Sequence, residues 1–370
     1  MVTYPNDWKD DKVSNLVDIS TGYRDTQDSK PSGKFPFFVR SPIVERIDVA
    51  DYDCEAVLTA GDGVGTGKVF HYINGKFAAH QRVYVMNNFR DVDGKYFYYY
   101  FSKNFITEVE KYTAKSSVDS VRRAMIADMQ FPHPEIPEQK EIVDVLSSFD
   151  AYIDDLAELI EKKKGIRDGA INDLLSGNTR LKGFDKSWKE TTLGNEFEVI
   201  MGSSPNSASY NSSRIGVPLV QGNADIVNRV TAPKRYTSMP TKICEIGDTI
   251  LTVRAPVGSA SRANQRVCLG RGVCAISGSH KDFIYYLMRY HESAWESIEQ
   301  GSTFTAVSGK EVRKFEIKIP QEGREQDAIA SILTAMDEEI RNLETEREKI
   351  IQIREGAMED LLTGRVRLTT

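Results

Sequence analysis

Apolar residues recur at Ile142, Leu146, Phe149, Ile153, Leu156 and Ile160, in alternating steps of four and three, with charged positions between them. That spacing places one narrow stripe on a single helix face, the seam pattern of a coiled coil. The pattern returns at Ile329, Leu333, Met336, Ile340 and Leu343, and resumes at Ile350, Ala357 and Leu361. The two stretches are copies: residues 138–181 and 325–368 align without a gap at an offset of 187, with 19 of 44 positions identical. Each follows an Ile-Pro pair, Ile136-Pro137 and Ile319-Pro320, the second with four further residues before Glu325. They end Leu-Leu-Ser-Gly and Leu-Leu-Thr-Gly, which predicts left-handed C-terminal glycines at Gly177 and Gly364. A helix of about 38 residues at ~1.5 Å per residue is a rod of roughly 57 Å. One such stripe suits any amphipathic core helix, but two long near-copies predict mutual pairing as an antiparallel coiled coil.

The stretches before the copies correspond more weakly. Trp8-Lys9 matches Trp188-Lys189 and Gly22 matches Gly202, both at an offset of 180. Pro36-Phe37 is echoed by Pro218-Leu219, Leu58-Thr59 by Leu251-Thr252, and the aromatic run at 96–101 by residues 283–288. Short β-rich runs (Lys34 to Val39, Arg82 to Met86, Thr249 to Arg254, Phe315 to Ile319) lie among Gly, Pro, Asn and Ser, with helices near Gly94–Phe105 and His280–Gln300. The predicted fold is α+β: globular domains at 1–135 and 187–320 separated by paired helices at 136–186 and 321–370. The chain end resembles the lead-in to the second domain, which predicts a quasi-circular plan with a pseudo-twofold internal repeat.

Composition changes this picture little at first. The 370 residues are 40% hydrophobic and 28% charged, with a net charge of −6 that argues against a chain coated with basic residues for nucleic acid or anionic membrane. The start MVTYPNDWKDD is no secretory signal, and no stretch nears 18 apolar residues, so no membrane span is expected. Cys54, Cys244, Cys268 and Cys274 form no CxxC pair, which predicts a reduced, cytoplasmic protein. Dividing the charge by segment is more informative. Residues 1–135 carry −2 and 187–320 carry +4, whereas the helical segments 136–186 and 321–370 carry −3 and −5. The acid excess lies on the helices.

Catalytic patterns are absent. The run GDGVGTGKVFHY at 61–72 lacks the hydroxyl after Gly67-Lys68 and the glycine spacing of a phosphate-cradling loop. It reads as a glycine-permitted turn between strands, with Lys68 available to a nucleic-acid phosphate. His71, His80, His133, His280 and His291 show no metal-ligand spacing. Glu316-Ile317-Lys318 resembles half of a nuclease carboxylate–lysine site, but without a convincing upstream Asp on a neighbouring strand it reads as an exposed strand face. No Asn-Pro-Pro-aromatic tetrad is present, which counts against a stand-alone methyltransferase.

Two dissimilar domains separated by two copies of a long helix resemble the specificity subunit of a type I restriction–modification system. The stretches that carry the resemblance are SSVDSVRRAMIADMQFPHP at 116–134, IPEQKEIVDVLSSFDAYI at 136–153, QGSTFTAVSGKEVRKFEIKIP at 300–320 and EQDAIASILTAMDEEI at 325–340. The resemblance implies that each variable domain is a target-recognition domain for one half of a split, asymmetric double-stranded DNA site. It implies that the helices fix the spacing of the halves and dock two modification subunits, which methylate adenine with S-adenosylmethionine. Motor-nuclease restriction subunits using ATP and Mg would join them, with no cofactor in this chain. Expected DNA contacts are Arg24, Arg40, Arg46, Lys68, His80 and Arg82 in the first domain. In the second they are Arg229, Lys234, Arg235, Tyr236, Arg254, Arg262, Arg271 and Thr305. The loops Ser116–Arg123 and Ser302–Lys310 match family motifs, either as DNA contacts or as docking for the last strand of each domain. The competing reading is a coiled-coil scaffold that only assembles protein partners.

Overall fold

Two 40-residue helices, Ile136–Leu175 and Gly323–Leu362, form where the seam pattern predicts them. Gly177 and Gly364 end them in the left-handed region, at φ 75° and 70°. The chain reversal beyond each glycine is the same: Thr179 N–H donates to the Asp173 carbonyl at 3.3 Å, and Val366 N–H to that of Asp360 at 3.2 Å. The computed structural model describes residues 3–112, 120–295 and 306–368. Contacts divide the chain into two units, Met1–Leu156 with Glu346–Thr370, and Ala157–Thr345.

The first unit carries β1 (Lys9–Lys12), β2 (Asp18–Thr21), β3 (Phe35–Phe38), β4 (Glu45–Ile47), β5 (Tyr52–Ala60), β6 (Phe70–Ala79), β7 (Val83–Asn87) and β8 (Gln130–His133). Strands β2-β7-β5-β6-β3-β4 form one six-stranded sheet, and β1 pairs antiparallel with β8. The longest ladder joins β5 to β6, from Tyr52 opposite Phe77 to Thr59 opposite Phe70, and the glycine-rich run turns the chain between them. Asp93 caps the helix Gly94–Lys111 by accepting from Lys95 and Tyr96 N–H. That helix buries Tyr96, Phe97, Tyr99, Tyr100, Phe101 and Phe105. Phe131 on β8 stacks on Phe97 with centroids 5.0 Å apart.

The second unit carries β9 (Lys189–Thr192), β10 (Glu198–Met201), β11 (Tyr210–Asn211), β12 (Val217–Val220), β13 (Ile226–Val227), β14 (Val230–Thr231) and β15 (Arg235–Thr237). It continues with β16 (Ile243–Cys244), β17 (Thr249–Thr252), β18 (Ala260–Arg262), β19 (Val267–Leu269), β20 (Val273–Ser277) and β21 (Glu316–Ile319). A six-stranded sheet, β10-β20-β17-β18-β14-β13, lies beside a five-stranded one, β11-β15-β12-β19-β16, while β21 pairs with β9. The helix Lys281–Tyr290 buries Phe283, Ile284, Tyr286, Leu287 and Met288. The repeat foreseen in the sequence is thus one of construction: a Trp, an outer two-stranded ladder, a sheet and one aromatic helix in each unit. The close approaches at Gly22 and Gly202 repeat too. A Cβ would collide with the Ala79 carbonyl in one and the Gly270 carbonyl in the other.

The long helices pair antiparallel within each unit. In the first, Arg354 donates to Asp150 at 2.5 Å and Tyr152 to Glu346 at 2.5 Å. In the second, Lys164 meets Glu344 at 3.0 Å and Arg167 meets Asp337 at 3.0 Å. Of the seam positions, Ile142, Leu146, Leu156, Ile329, Leu333 and Ile340 are buried, and Phe149, Ile153, Met336 and Leu343 are half-buried. The seam is more than a helix–helix contact. Ile142 and Leu146 join one cluster with Tyr96, Phe97 and Phe131 and with Met358 and Leu361 of the second helix. Ile329 and Leu333 join another with Phe283, Leu287 and Leu174. The segments 136–186 and 321–370 are therefore not free-standing rods, because residues toward both ends of each helix join the domain cores. A helix stripe buried on two sides is held by both partners.

A clamp closes the helix ends of each unit. Arg180 donates to both carboxylate oxygens of Glu325 at 2.7 and 2.9 Å, and Trp188 Nε1 donates to the same carboxylate at 3.2 Å. Arg367 grips Glu138 at 2.7 Å through two bonds, reaches Asp7 at 2.8 Å, and lies 6.0 Å from the Trp8 ring centroid. Glu325 and Glu138 are buried, so a bidentate guanidinium is what keeps each carboxylate satisfied there.

Candidate nucleic-acid interface

In the first unit most of the expected contact residues are already engaged. Arg24 forms a two-pronged pair with Asp51, at 2.5 and 2.8 Å. Arg46 braces the turn before β3, donating to the Gly33 and Lys34 carbonyls at 3.0 and 2.8 Å. His80 is buried, accepts from Arg82 N–H at 3.0 Å, and has its imidazole pKa pushed down by burial, then by Arg40. It is a neutral core residue, which corrects its assignment as a DNA contact. Arg40 and Arg82 converge on Asp62, each on its own carboxylate oxygen, at 2.8 and 2.5 Å. Burial pushes the Asp62 carboxyl up, but the hydrogen bonds from Arg40 and Arg82 outweigh it and leave the pKa below the usual value. Lys68 is exposed and forms no ion pair among the described residues.

In the second unit two expected contacts are held by carboxylates. Arg229 holds Glu292 at 2.6 and 3.0 Å and donates to the Ala260 carbonyl. Arg262 pairs with Asp282 and lies 4.2 Å from the Tyr285 ring centroid. Both line a cleft of about 470 Å³ against the aromatic helix and the long helices, where Glu292 and Asp282 hold them. Lys234, Arg235, Arg254 and Arg271 are exposed and form no ion pair among the described residues, and Tyr236 is half-buried on β15. Hydrogen bonds draw part of this set together. Val253 N–H donates to the Gly272 carbonyl at 2.9 Å, bringing Arg254 beside the turn that carries Arg271. Leu269 N–H donates to the Lys242 carbonyl at 2.7 Å, bringing the exposed Lys242 beside the end of β19, which leads into the Arg271 turn. Sequence reasoning missed Lys242, because no spacing marks a lysine whose position is set by a bond to a distant strand. Thr305 lies outside the described residues.

The family-motif segments have matching roles in the two units. In the first, Val121 N–H donates to the Gly61 carbonyl at 2.7 Å and Ser120 bridges Asp62. In the second, Val307 N–H donates to the Val253 carbonyl at 2.9 Å and Ala306 bridges Arg254. Each motif is sewn to the loop that follows a central strand, β5 or β17. Equivalent positions therefore hold Asp62 in one unit and Arg254 in the other.

The chain matches the family model of the type I restriction modification DNA specificity domain twice, over residues 5–164 and 185–352. It belongs to that family. The putative type I restriction enzyme MjaX specificity subunit of Methanocaldococcus jannaschii is 33% identical over 293 residues, covering 74% of this chain and 69% of the relative. The type I restriction enzyme EcoDI specificity subunit of Escherichia coli is 28% identical over 43% of this chain and 34% of the relative. In fold, the chain is similar to the type I S subunit of M. genitalium, with a TM-score of 0.66 at 18% identity over 96% of each chain. As a specificity subunit the chain is non-catalytic by itself, a member of a type I restriction–modification complex that determines DNA specificity. Among the described residues, no group of three or more His, Cys, Asp or Glu side chains is placed to hold a metal ion, and no helix is long and apolar enough to cross a membrane.

Proposed function

We propose that each unit reads one half of a two-part, asymmetric double-stranded DNA site, and that the chain hands this reading to partner subunits in the cytoplasm. Two modification subunits would methylate adenine with S-adenosylmethionine, and motor-nuclease restriction subunits would use ATP and Mg. These groups belong to the partners and none is assigned to this chain. The observation that carries the reading is the repeated seam between motif and loop. The same backbone bonds hold equivalent loops in both units, yet the side chains presented there differ in charge and shape. A shared frame with divergent tips suits two readers of different sequences, since base edges are distinguished by side chains while the frame sets register.

Partner docking has its own support on the first long helix. Within the second unit Leu159 and Ile166, seven residues apart and off the buried seam, stay 39% and 59% exposed. With acidic neighbours, such a stripe suits the helix of a protein partner. The test is a salt titration of DNA binding by the complex with its modification partner. A DNA reader loses affinity steeply as salt rises, because phosphate contacts release counterions. Salt-insensitive or absent binding would favour a scaffold that only assembles proteins.

A further inference from the structure

The turn between β5 and β6 does more than reverse the chain. Gly63 and Gly67 take φ values of +79° and +66°, in the left-handed region that favours glycine. At Gly65 a Cβ would collide with the Arg40 carbonyl, so only glycine lets this loop lie against the segment around Pro42. The result is a cleft of about 690 Å³ between the two loops, lined by Val39, Pro42, Val64, Lys68 and Val69. Val64 is 97% exposed, and Ile43 on the facing segment is 73% exposed. Two aliphatic side chains thus stand in water beside three cations. Asp62 fixes two of those cations, yet each guanidinium spends only one nitrogen on it, and Arg40 and Arg82 remain 43% and 63% exposed. An arginine carries five N–H donors, so both keep donors for a ligand.

We propose that this loop is a base-reading tip of the first unit. Val64 packs against the C5 methyl of a thymine in the major groove, Asp62 holds Arg40 and Arg82 as a fixed pair of donors beside it, and Lys68 takes a phosphate. The proposal rests on the reading of the chain as a DNA specificity subunit. Duplex DNA is the occupant that the combination fits: an anionic backbone for the lysine, acceptor edges for the guanidiniums, and the one apolar group exposed in the major groove for the valine. Val64 determines specificity. Asp62 is a positioning residue, acting through the arginines it aims.

The experiment uses the complete complex with its modification partner, after its methylated sites have been mapped. Synthetic duplexes replace each thymine of the half-site assigned to the first unit with deoxyuridine, which lacks the methyl group. The wild type should lose about fourfold in affinity at one of these positions, the value of one buried methyl. Val64→Ser should bind the thymine and deoxyuridine duplexes equally, with unchanged sensitivity in the other half-site. Asp62→Asn should steepen the salt dependence, tighten binding to unrelated DNA and narrow the ratio between specific and unrelated duplexes. No deoxyuridine-sensitive position, or an undiminished preference for thymine in Val64→Ser, overturns the Val64 assignment. An unchanged salt slope and specificity ratio in Asp62→Asn overturn the role of Asp62. If exchanging residues 1–135 leaves that half-site unchanged, the underlying reading fails instead, whatever the valine variant does.

Discussion

At the same point of the duplicated plan, one unit presents Asp62 and the other Arg254. The backbone around them is equivalent, bonded to the motif segment by Val121 in one case and Val307 in the other. Their surroundings diverge accordingly. In the first unit Arg24, Arg40 and Arg82 are each tied to a carboxylate. In the second Lys234, Arg235, Arg254 and Arg271 are exposed with no ion pair among the described residues. The segment charges of −2 and +4 follow the same division. A guanidinium already held by a carboxylate is costly to redirect but well oriented, whereas a free one adds affinity with little orientation. This difference predicts that the first unit contributes mainly selectivity and the second a larger share of phosphate attraction.

The comparison breaks most completely at the helix seam. Leu146→Asp should unfold the first unit and Leu333→Asp the second, each costing about 4 kcal/mol or more, since both leucines are fully buried among apolar neighbours. Denaturant titration measures it, and a variant that melts like the wild type would refute the shared core. Next comes the clamp. Arg180→Ala leaves the Glu325 carboxylate, whose side chain is 2% exposed, without its cation and with the Trp188 Nε1 bond alone among the side-chain bonds described above, at a cost of about 3 kcal/mol. Arg367→Ala should cost less, because Glu138 is 10% exposed and the second partner, Asp7, is 65% exposed. Equal losses in the two variants would show that burial does not grade the clamps.

The third expected effect belongs to one histidine of the second unit. Burial pushes His291, packed on Phe315, down to about 4. Its folded pKa lies below the unfolded value, so the folded state binds fewer protons between the two. Stability from this group is therefore present above pH ~6.5 and lost as pH falls toward 4, by on the order of 2 kcal/mol. His291→Phe should flatten that part of the melting-temperature profile, and a superimposable pH profile would refute it. The smallest effects are on DNA. Arg254→Ala or Arg271→Ala should each lower the salt slope of binding by about one, while Arg229→Ala and Arg262→Ala should leave the slope unchanged and lower stability instead. A slope change for Arg229→Ala would place that residue on the DNA face.

Periodicity and self-similarity made the long helices, their glycine ends and the repeated α+β plan legible, because each depends on spacing along the chain. The strands at Phe35–Phe38 and Thr249–Thr252 were visible for the same reason. The candidate interface was less so. Nothing local distinguishes Arg229, which faces Glu292, from Arg254, which does not, since the difference lies in which strand each side chain leaves and what the fold brings opposite. His80 reads as a surface ligand until the bridge to Arg24 just beyond β6 places it among buried residues. The double role of Ile142 and Leu146 was hidden likewise, because a heptad stripe does not reveal whether one partner or two cover it.

The central claim is that two units of one construction read separate halves of a DNA site. It is tested most directly by replacing residues 1–135 with those of another family member and mapping the methylated positions made by the assembled complex. One half of the recognised sequence should change and the other remain as before. A change in both halves, or in neither, would contradict the account.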